Sequence, residues 1–420
     1  MFEFIDQVLH CEDIPVSALT EKYGTPLYIY SKAHIEQQYA KLNEALSKEL
    51  GTEPLISYAC KANDRIAVLK IIGDLGGGID IVSGGELKKA LAAGIAPEKI
   101  IFSGVGKRND ELELAITSGI RQINIETEPG LDHIQEVMDS LKEKHPINVV
   151  FRLNPDVEAG THDKISTGRS EDKFGLSADR IKSLYKKASG IDGITPVGIS
   201  IHIGSQVADP RYFVPAFRKI RLLVEELRQE GNTVSELDLG GGLGITYRDE
   251  PEADLSAYAR IIKEELGDLN CHFSFEPGRF IVGNAGILVS RVVCVKNTDV
   301  KTHLIIDAAM NDLIRPSLYD AWHTITPVIR HKDRKQHVYD IVGPVCESGD
   351  TFAKERYLDE VKEGELVAIK STGAYGAVMS SYYNARTPAA EVMVDGKKDR
   401  LLFKHRSVDD IIQEEIKNLA

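Results

Sequence analysis

The chain has 420 residues, of which 42% are hydrophobic and 27% charged, as expected for a globular protein with two domains. Its formal net charge of −13 argues against nucleic acid or an anionic membrane as a partner, because both require a basic face. No window is apolar for long enough to span a membrane, and the acidic start lacks the order of a signal peptide, so we expect a cytoplasmic protein.

The cysteines give no framework for a disulfide or a metal. They number five, are widely spaced and contain no CxxC pair: Cys11, Cys60, Cys271, Cys294 and Cys346. We therefore expect thiols, with no zinc or other metal site.

The first 285 residues predict alternating strands and helices. A helix is expected over Val16–Tyr23, a strand around Tyr28–Tyr30 and a long helix over Ser31–Leu50. Eight β-branched or apolar runs follow, separated by helical stretches: Ile56–Cys60, Ile79–Val82, Lys99–Ser103, Gln122–Glu126, Asn148–Leu153, Val197–His202, Glu236–Leu239 and His272–Phe275. Eight strands over roughly 220 residues favour an α/β fold of the closed (β/α)8 type, a TIM-like barrel, with a doubly wound open sheet as the alternative.

Beyond Gly286 the pattern changes to strands separated by glycine, proline and charged turns. The predicted strands are Ile287–Val295, His303–Asp307, His337–Val342, Leu366–Ile369 and Ala390–Val394, before a helix over Val408–Asn418. We predict a barrel domain over residues 31–285 and an all-β domain built from residues 1–30 and 286–420, which the N-terminal strand joins.

The ends of the predicted barrel strands carry the chemistry. Lys61 follows the first strand and can be a solvated lysine or, among apolar walls, an amine that condenses with a carbonyl. His202 ends the sixth strand and can be a core histidine or lie flat against an aromatic ligand. Glu276 follows the eighth and can pair with Arg279 or meet a protonated ring nitrogen.

Glycines follow the seventh strand, in Gly240-Gly-Gly-Leu-Gly244, and their N–H groups can approach an anion closely. The cluster is not a dinucleotide fingerprint, but it stands where α/β barrels bind phosphate. An amine, a phosphate cradle, a stacking imidazole and a carboxylate for a ring nitrogen together describe a pyridoxal phosphate site.

Three segments of the predicted all-β domain are also candidates. Arg315 and Tyr319 stand one helical turn apart and can face the same way, or be a surface arginine beside a packed tyrosine. The loop Gly343–Asp350 presents Cys346 next to Glu347, which suits proton delivery and recognition of an ammonium. Tyr375 is a phenol between glycines that can complete a phosphate site.

In these motifs the chain resembles the pyridoxal-phosphate-dependent decarboxylases with an alanine-racemase-like barrel, and within them the diaminopimelate decarboxylases. The resemblance rests on motifs in the same order along the chain: Tyr58–Asn63, Asp80–Leu87, His202–Gln206, Gly240–Gly244, Glu276–Arg279, Arg315–Tyr319, Cys346–Asp350 and Tyr375. It implies pyridoxal 5′-phosphate as cofactor and decarboxylation of meso-2,6-diaminopimelate to L-lysine and carbon dioxide, the last step of lysine biosynthesis.

The resemblance also implies roles for individual residues. Lys61 would be the Schiff-base lysine and Cys346 the proton donor after carbon dioxide leaves. The other cofactor-binding residues would be Asp80, His202, Ser205, Gly240, Gly241, Gly242, Glu276, Pro277, Gly278, Arg279 and Tyr375. The substrate would contact Arg279, Arg315, Tyr319, Glu347 and Tyr375. In the family Cys346 and Glu347 come from the partner subunit, so a homodimer with shared active sites is implied.

The chain departs from the family pattern at Tyr382, where asparagine is usual, and at Thr387-Pro388, where Arg-Pro is usual, which bears on substrate orientation near Asn384. The segment Thr161–Gly168 matches the position of the family's mobile active-site loop, or is a solvated charged face.

Rival activities would require other residues. An ornithine- or arginine-type decarboxylase would present an acidic residue to a distal cation, whereas Arg279 and Arg315 suit a distal carboxylate. A racemase of this fold would place an arginine where Glu276 stands, and a non-catalytic binding protein would have lost Lys61 or Cys346.

Overall fold

The structure is a computed structural model that describes residues 1–157, 168, 171–417 and 419. It contains two compact units. The sheet unit comprises Met1–Gln37, Thr246–Glu250 and Val282–Ala420, and the barrel unit comprises Gln38–Ile245 and Pro251–Ile281. The domain boundaries predicted from the sequence stay predictions, and the predicted loop 161–168 lies outside the described residues except for position 168.

The chain begins with three short antiparallel strands that the sequence analysis missed. They are β1 (Phe2–Ile5), β2 (Val8–Cys11) and β3 (Ile14–Pro15), followed by α1 (Val16–Tyr23), β4 (Leu27–Ser31) and α2 (Lys32–Leu50). In β1 only alternate residues are partly buried, so it lacks the apolar run that marks a core strand.

Eight parallel strands then close into a barrel, which confirms the predicted (β/α)8 fold and excludes the open sheet. The strands are β5 (Leu55–Ala59), β6 (Gly78–Ile81), β7 (Ile100–Phe102), β8 (Gln122–Ile125), β9 (Ile147–Leu153), β10 (Ile194–Ile201), β11 (Glu236–Asp238) and β12 (His272–Phe275). The barrel closes where β12 pairs with β5, with Phe275 opposite Ile56.

Helices cover the barrel strands, and for that reason strands such as β6 and β8 are buried along their whole length. The helices are α3 (Ile66–Asp74), α4 (Gly84–Ala92), α5 (Asn109–Ser118), α6 (Glu128–Ser140), α7 (Ala178–Ala188), α8 (Val214–Gln229), α9 (Leu255–Leu266) and α10 (Arg279–Val282). In α7 the buried residues Ile181, Leu184, Tyr185 and Ala188 recur at helical spacing and form one apolar face.

The sheet unit is built around a nine-stranded mixed sheet. Its remaining elements are β13 (Gly286–Asn297), β14 (Thr302–Ile306), α11 (Arg315–Tyr319), β15 (Ile325–Pro327), β16 (Gln336–Val342), β17 (Thr351–Asp359), β18 (Leu366–Ile369), β19 (Ala390–Asp395), β20 (Lys398–Phe403) and α12 (Val408–Lys417). The N-terminal strand β4 lies between β13, with which it is antiparallel, and β19, with which it is parallel. This confirms that the N-terminal strand joins the C-terminal sheet.

All five residues of β4 are buried, and Leu27 and Ile29 pack in one apolar core with Ile287 of β13 and Val392 of β19. Among the described helices, none combines the length and the apolarity that crossing a membrane requires. A cytoplasmic location stays a prediction.

Candidate active site

Lys61 lies at the C-terminal end of β5, in a single helical turn formed by Cys60–Ala62. Its Nζ is 3.1 Å from Oδ2 of Asp80, which points from β6 with its side chain fully buried. Oδ1 of Asp80 is also buried and has no hydrogen-bond partner among the described residues. The pair places a partly exposed amine beside a buried acceptor at the end of the barrel where active sites form.

Glu276 follows β12 and is buried in a network of polar side chains. Its Oε1 accepts hydrogen bonds from Ser103 Oγ at 3.1 Å and from Asn124 Nδ2 at 3.5 Å. Asn124 Nδ2 also donates to Asp238 Oδ2 at 3.0 Å. Burial, followed by the negative charges of Asp238 and Asp80, raises the pKa of Glu276 well above its usual range. The carboxyl group therefore favours its protonated form, and a positive charge beside it would stabilise the ionised form.

The glycine turn after β11 is tied to its neighbours by backbone groups. Gly240 N–H donates to Asp238 Oδ1 at 3.1 Å, and Gly240 C=O accepts from Glu276 N–H at 2.7 Å. Gly240 has a φ of +66°, and a Cβ on Gly241 would lie 2.2 Å from the Glu276 carbonyl oxygen. Only glycine permits this close approach of the turn to Glu276.

His202 lies beside the same turn and receives a hydrogen bond from Gly241 N–H at Nδ1, at 3.1 Å. Nδ1 is therefore unprotonated. Burial, with the positive charges of Arg152 and Lys61, holds the pKa of His202 well below its usual range. The imidazole is thus neutral and can pack against an aromatic ring without a charge of its own.

The loop Glu276–Arg279 brings two further predicted residues to this end of the barrel. Pro277 C=O accepts a hydrogen bond from Ala59 N–H at 3.1 Å, which joins the loop to the β5 strand that carries Lys61. The Arg279 guanidinium is 6% exposed and donates to Ser205 Oγ from NH2 at 2.9 Å.

In the sheet unit, Arg315 begins α11 and is buried. Its NH1 is 2.9 Å from Nε2 of His323, and its guanidinium lies 5.0 Å from the centre of the Tyr247 ring. Tyr319 is half-buried at the last position of the same helix.

Cys346 and Glu347 are exposed on their loop. Asp350 fixes the loop by accepting hydrogen bonds from Val345 N–H and Met310 N–H, both at 2.7 Å. Cys346 N–H donates to Asn384 Oδ1 at 3.0 Å. The loop is thus held by its backbone while the thiol and the carboxylate face outwards.

The two departures from the family pattern have different surroundings. Thr387 is buried, and its Oγ1 is 2.8 Å from His405 Nε2, while Tyr382 is exposed.

Tyr375 is half-buried with a φ of +55°. A tyrosine with this φ costs roughly 1–3 kcal/mol, and such strained residues tend to cluster at functional sites.

The structure brings the predicted barrel residues to one end of the barrel. These are Lys61, Asp80, His202, Ser205, Gly240–Gly242 and Glu276–Arg279. Arg315, Tyr319, Cys346, Glu347 and Tyr375 all belong to the sheet unit. Among the described residues, no cluster of His, Cys, Asp or Glu is arranged to hold a metal ion.

Sequence reasoning missed Ser103, Asn124 and Asp238 around Glu276, and His323 beside Arg315. Asn124 lies between Ile123 and Ile125, and Asp238 between Leu237 and Leu239. A polar residue between apolar neighbours in a buried strand was the signal that could have revealed them.

Residues 32–283 match the family of pyridoxal-dependent decarboxylases over its pyridoxal binding domain. The chain is 44% identical over 410 residues to diaminopimelate decarboxylase from Pseudomonas aeruginosa, an alignment that covers 98% of this chain and 97% of that protein. It superposes with a TM-score of 0.93 on diaminopimelate decarboxylase from M. jannaschii in complex with L-lysine, at 35% identity over 99% and 97% of the two chains. The corresponding enzyme from Helicobacter pylori with L-lysine gives a TM-score of 0.90, at 36% identity over 96% and 99% of the two chains.

These likenesses extend over both units and include the elements that carry Lys61, Glu276 and Arg315. The chain therefore belongs to the pyridoxal-dependent decarboxylases, in the diaminopimelate decarboxylase family.

Proposed function

We propose that this protein decarboxylates meso-2,6-diaminopimelate to L-lysine and carbon dioxide with pyridoxal 5′-phosphate, the last step of lysine biosynthesis. The observation that carries the reaction type is Glu276, a buried carboxylate at the barrel end that also presents the Lys61 amine. The near-full-length relatives support the choice of substrate, since the one from Pseudomonas aeruginosa is named diaminopimelate decarboxylase.

The barrel residues fit pyridoxal phosphate. A Cβ at any of Gly240, Gly241 and Gly242 would lie 2.2 to 2.6 Å from a neighbouring carbonyl oxygen, so the turn keeps bare backbone where a phosphate can approach. The amine of Lys61, the neutral imidazole of His202 and the carboxyl group of Glu276 match an aldehyde, an aromatic ring and a ring nitrogen that can share a proton. We assign Asp80, Ser205, the Glu276–Arg279 loop and Tyr375 to the same group.

When bound, pyridoxal phosphate supplies an electron sink for the bond that breaks. Lys61 Nζ supplies the amine that holds the cofactor's aldehyde, and Asp80 Oδ2 orients that amine. Glu276, held by Ser103, would place a negative charge beside the ring nitrogen and so stabilise a proton there. His202 packs on the ring without adding charge.

We assign recognition of the substrate's far end, its L-centre, to Arg279, Arg315 and Tyr319 for the carboxylate and to Glu347 for the ammonium. A planar guanidinium binds a carboxylate through paired hydrogen bonds, and Arg315 is already held in a fixed orientation. The L-lysine in the two solved relatives carries this same carboxylate. Contacts to the remote end orient the bond that is cleaved.

We further propose that Cys346 Sγ gives a proton to the carbon that has lost carbon dioxide, and that Cys346 and Glu347 serve the active site of a second copy in a homodimer. Their exposure on a loop fixed by Asp350 supports this role. General acids of this kind contribute roughly 10²- to 10⁴-fold in rate.

The proposed function is tested by incubating the cofactor-loaded protein with meso-diaminopimelate and measuring carbon dioxide and L-lysine. Equal amounts of both products are expected, with no reaction on L-ornithine or L-arginine, which lack a distal carboxylate. Release of carbon dioxide from ornithine or arginine alone would assign the chain to the rival decarboxylases. Inversion of an amino acid without carbon dioxide would assign it to the racemases.

Shared active sites predict that two inactive variants rescue each other. Co-expression of Lys61→Ala with Cys346→Ala is expected to restore about a quarter of wild-type activity, because half of the dimers are mixed and each has one intact site. Co-expression of Lys61→Ala with Glu276→Gln is the control. Both of these defects lie in the barrel unit, so every site keeps one of them and no rescue is expected. Absence of rescue in the first pair would contradict a site shared between subunits.

A further inference from the structure

His323 lies eight residues after Arg315 and is completely buried. Both of its ring nitrogens lie within hydrogen-bonding distance of a neighbouring residue. Nδ1 is 2.8 Å from the backbone oxygen of Lys370, and Nε2 is 2.9 Å from NH1 of Arg315. A carbonyl oxygen can only accept, so Nδ1 carries the proton. Nε2 is then the bare nitrogen of a neutral imidazole and accepts from the guanidinium.

The surroundings hold this imidazole firmly in place. Arg356 NH1 donates to the His323 backbone oxygen at 2.8 Å, and the Arg356 guanidinium lies 3.4 Å from the centre of the Trp322 ring. Lys370 N–H donates to Thr324 C=O at 2.8 Å. This bond joins the residue after His323 to Lys370, which follows β18 and whose backbone oxygen accepts from Nδ1. The ring therefore has one tautomer and one orientation to offer to Arg315.

Tyr247 completes a clamp on the guanidinium. Its ring lies 5.0 Å from Arg315 Cζ and packs edge-on against the His323 ring, at 5.4 Å between centres and 87° between planes. A guanidinium is a rigid plane of donors. One hydrogen bond at NH1 together with one aromatic face thus fixes the plane, and with it the direction of the other N–H groups.

We propose that His323 is a positioning residue for substrate recognition: its neutral imidazole holds Arg315 in the orientation that binds the carboxylate of the substrate's L-centre. This inference rests on the proposed function, which assigns that carboxylate to Arg315. Affinity for the distal carboxylate then depends on a histidine that itself does not touch the substrate.

Two substitutions separate this role from a structural one. His323→Asn keeps a donor near the position of Nδ1 for the Lys370 carbonyl but has no acceptor that reaches Arg315. His323→Gln reaches the position of Nε2 with an amide oxygen and restores that acceptor. The control is His337→Asn, the same change at an exposed histidine of the same unit.

The measurement is equilibrium binding of L-lysine and of cadaverine to the cofactor-loaded protein, by titration calorimetry. Cadaverine is lysine without its carboxylate. We expect His323→Asn to weaken L-lysine binding by roughly 10-fold, the effect of losing a hydrogen bond to a charged group, and to leave cadaverine binding unchanged. His323→Gln and His337→Asn are expected to bind both ligands like the wild type. The KM for meso-diaminopimelate should rise in His323→Asn by a factor similar to the loss of L-lysine affinity, with kcat little changed.

A double-mutant cycle tests the link to Arg315. In an Arg315→Ala background, His323→Asn should have no further effect on L-lysine binding, because the group that it positions is gone. Equal losses for L-lysine and cadaverine, no loss for either, or an unchanged effect in the Arg315→Ala background would each overturn the inference. Wild-type protein that binds cadaverine as tightly as L-lysine would instead contradict the proposed function, and the inference would fall with it.

Discussion

Replacement of Lys61 by alanine is expected to lower kcat for decarboxylation by at least about 10³-fold, as removal of a covalent catalytic group does in other enzymes. The amine is the group that holds the cofactor's aldehyde beside Asp80. The variant should also lose the visible absorption band of lysine-bound pyridoxal phosphate, which a spectrum of the purified protein measures without any turnover.

Two further variants make this result decisive. Lys61→Arg keeps a positive charge beside Asp80 but cannot condense with an aldehyde, so it should fold and still be inactive. Lys89→Ala removes a lysine of the same unit that is also paired with an aspartate, Asp64, and is similarly exposed, 36% against 38% for Lys61. It should keep both the band and the activity. A Lys61→Arg variant with wild-type turnover would refute the assignment of the amine.

Replacement of Glu276 by glutamine is expected to lower kcat by about 10²- to 10³-fold, the range found when a preorganised electrostatic group is removed from an active site. Glutamine keeps an oxygen that can accept the hydrogen bond from Ser103 but carries no charge. Without the negative charge of the carboxylate, a proton on the ring nitrogen would no longer be stabilised, and the electron sink would weaken.

The matched control for this prediction is Glu236→Gln at the opposite, N-terminal end of β11, where Glu236 pairs with Arg121 at 2.8 Å. That substitution can affect stability but should leave kcat unchanged. The visible spectrum gives a second readout, because loss of ring protonation alters the absorption of the bound cofactor even in the absence of substrate. Equal kcat values and spectra for Glu276→Gln and wild type would contradict the role of this carboxylate.

The barrel could be predicted from the sequence because its strands are buried on both faces and rich in β-branched or apolar residues, as in the fully buried β7. The strands that were missed are short or polar. In β17 the sequence Lys-Glu-Arg occupies Lys354–Arg356, and four of the six residues of β20 are charged or exposed. Such strands at a sheet edge are stabilised by backbone pairing, which leaves little trace in side-chain pattern.

The residues of the site also differ in how far the sequence predicts them. Lys61 and Glu276 could be predicted because each directly follows a strand, and the ends of parallel barrel strands meet at one face. Asn124 carries a signal as a polar residue in a buried strand, but the sequence does not reveal its contacts with Asp238 and Glu276. His323 could not be predicted, because its importance lies in a hydrogen bond to Arg315 that only the fold shows.

The central position of β4 also shapes how the protein is made. At roughly 5–20 residues per second, a ribosome needs roughly 10–50 s to proceed from β4 to β13, the first strand with which it pairs in the sheet. During that interval a segment whose five residues are all destined for the interior has no sheet to enter, while the barrel strands can already pair with one another as they emerge. Chaperones should therefore need to cover the N-terminal strand of newly synthesised chains until the last third of translation.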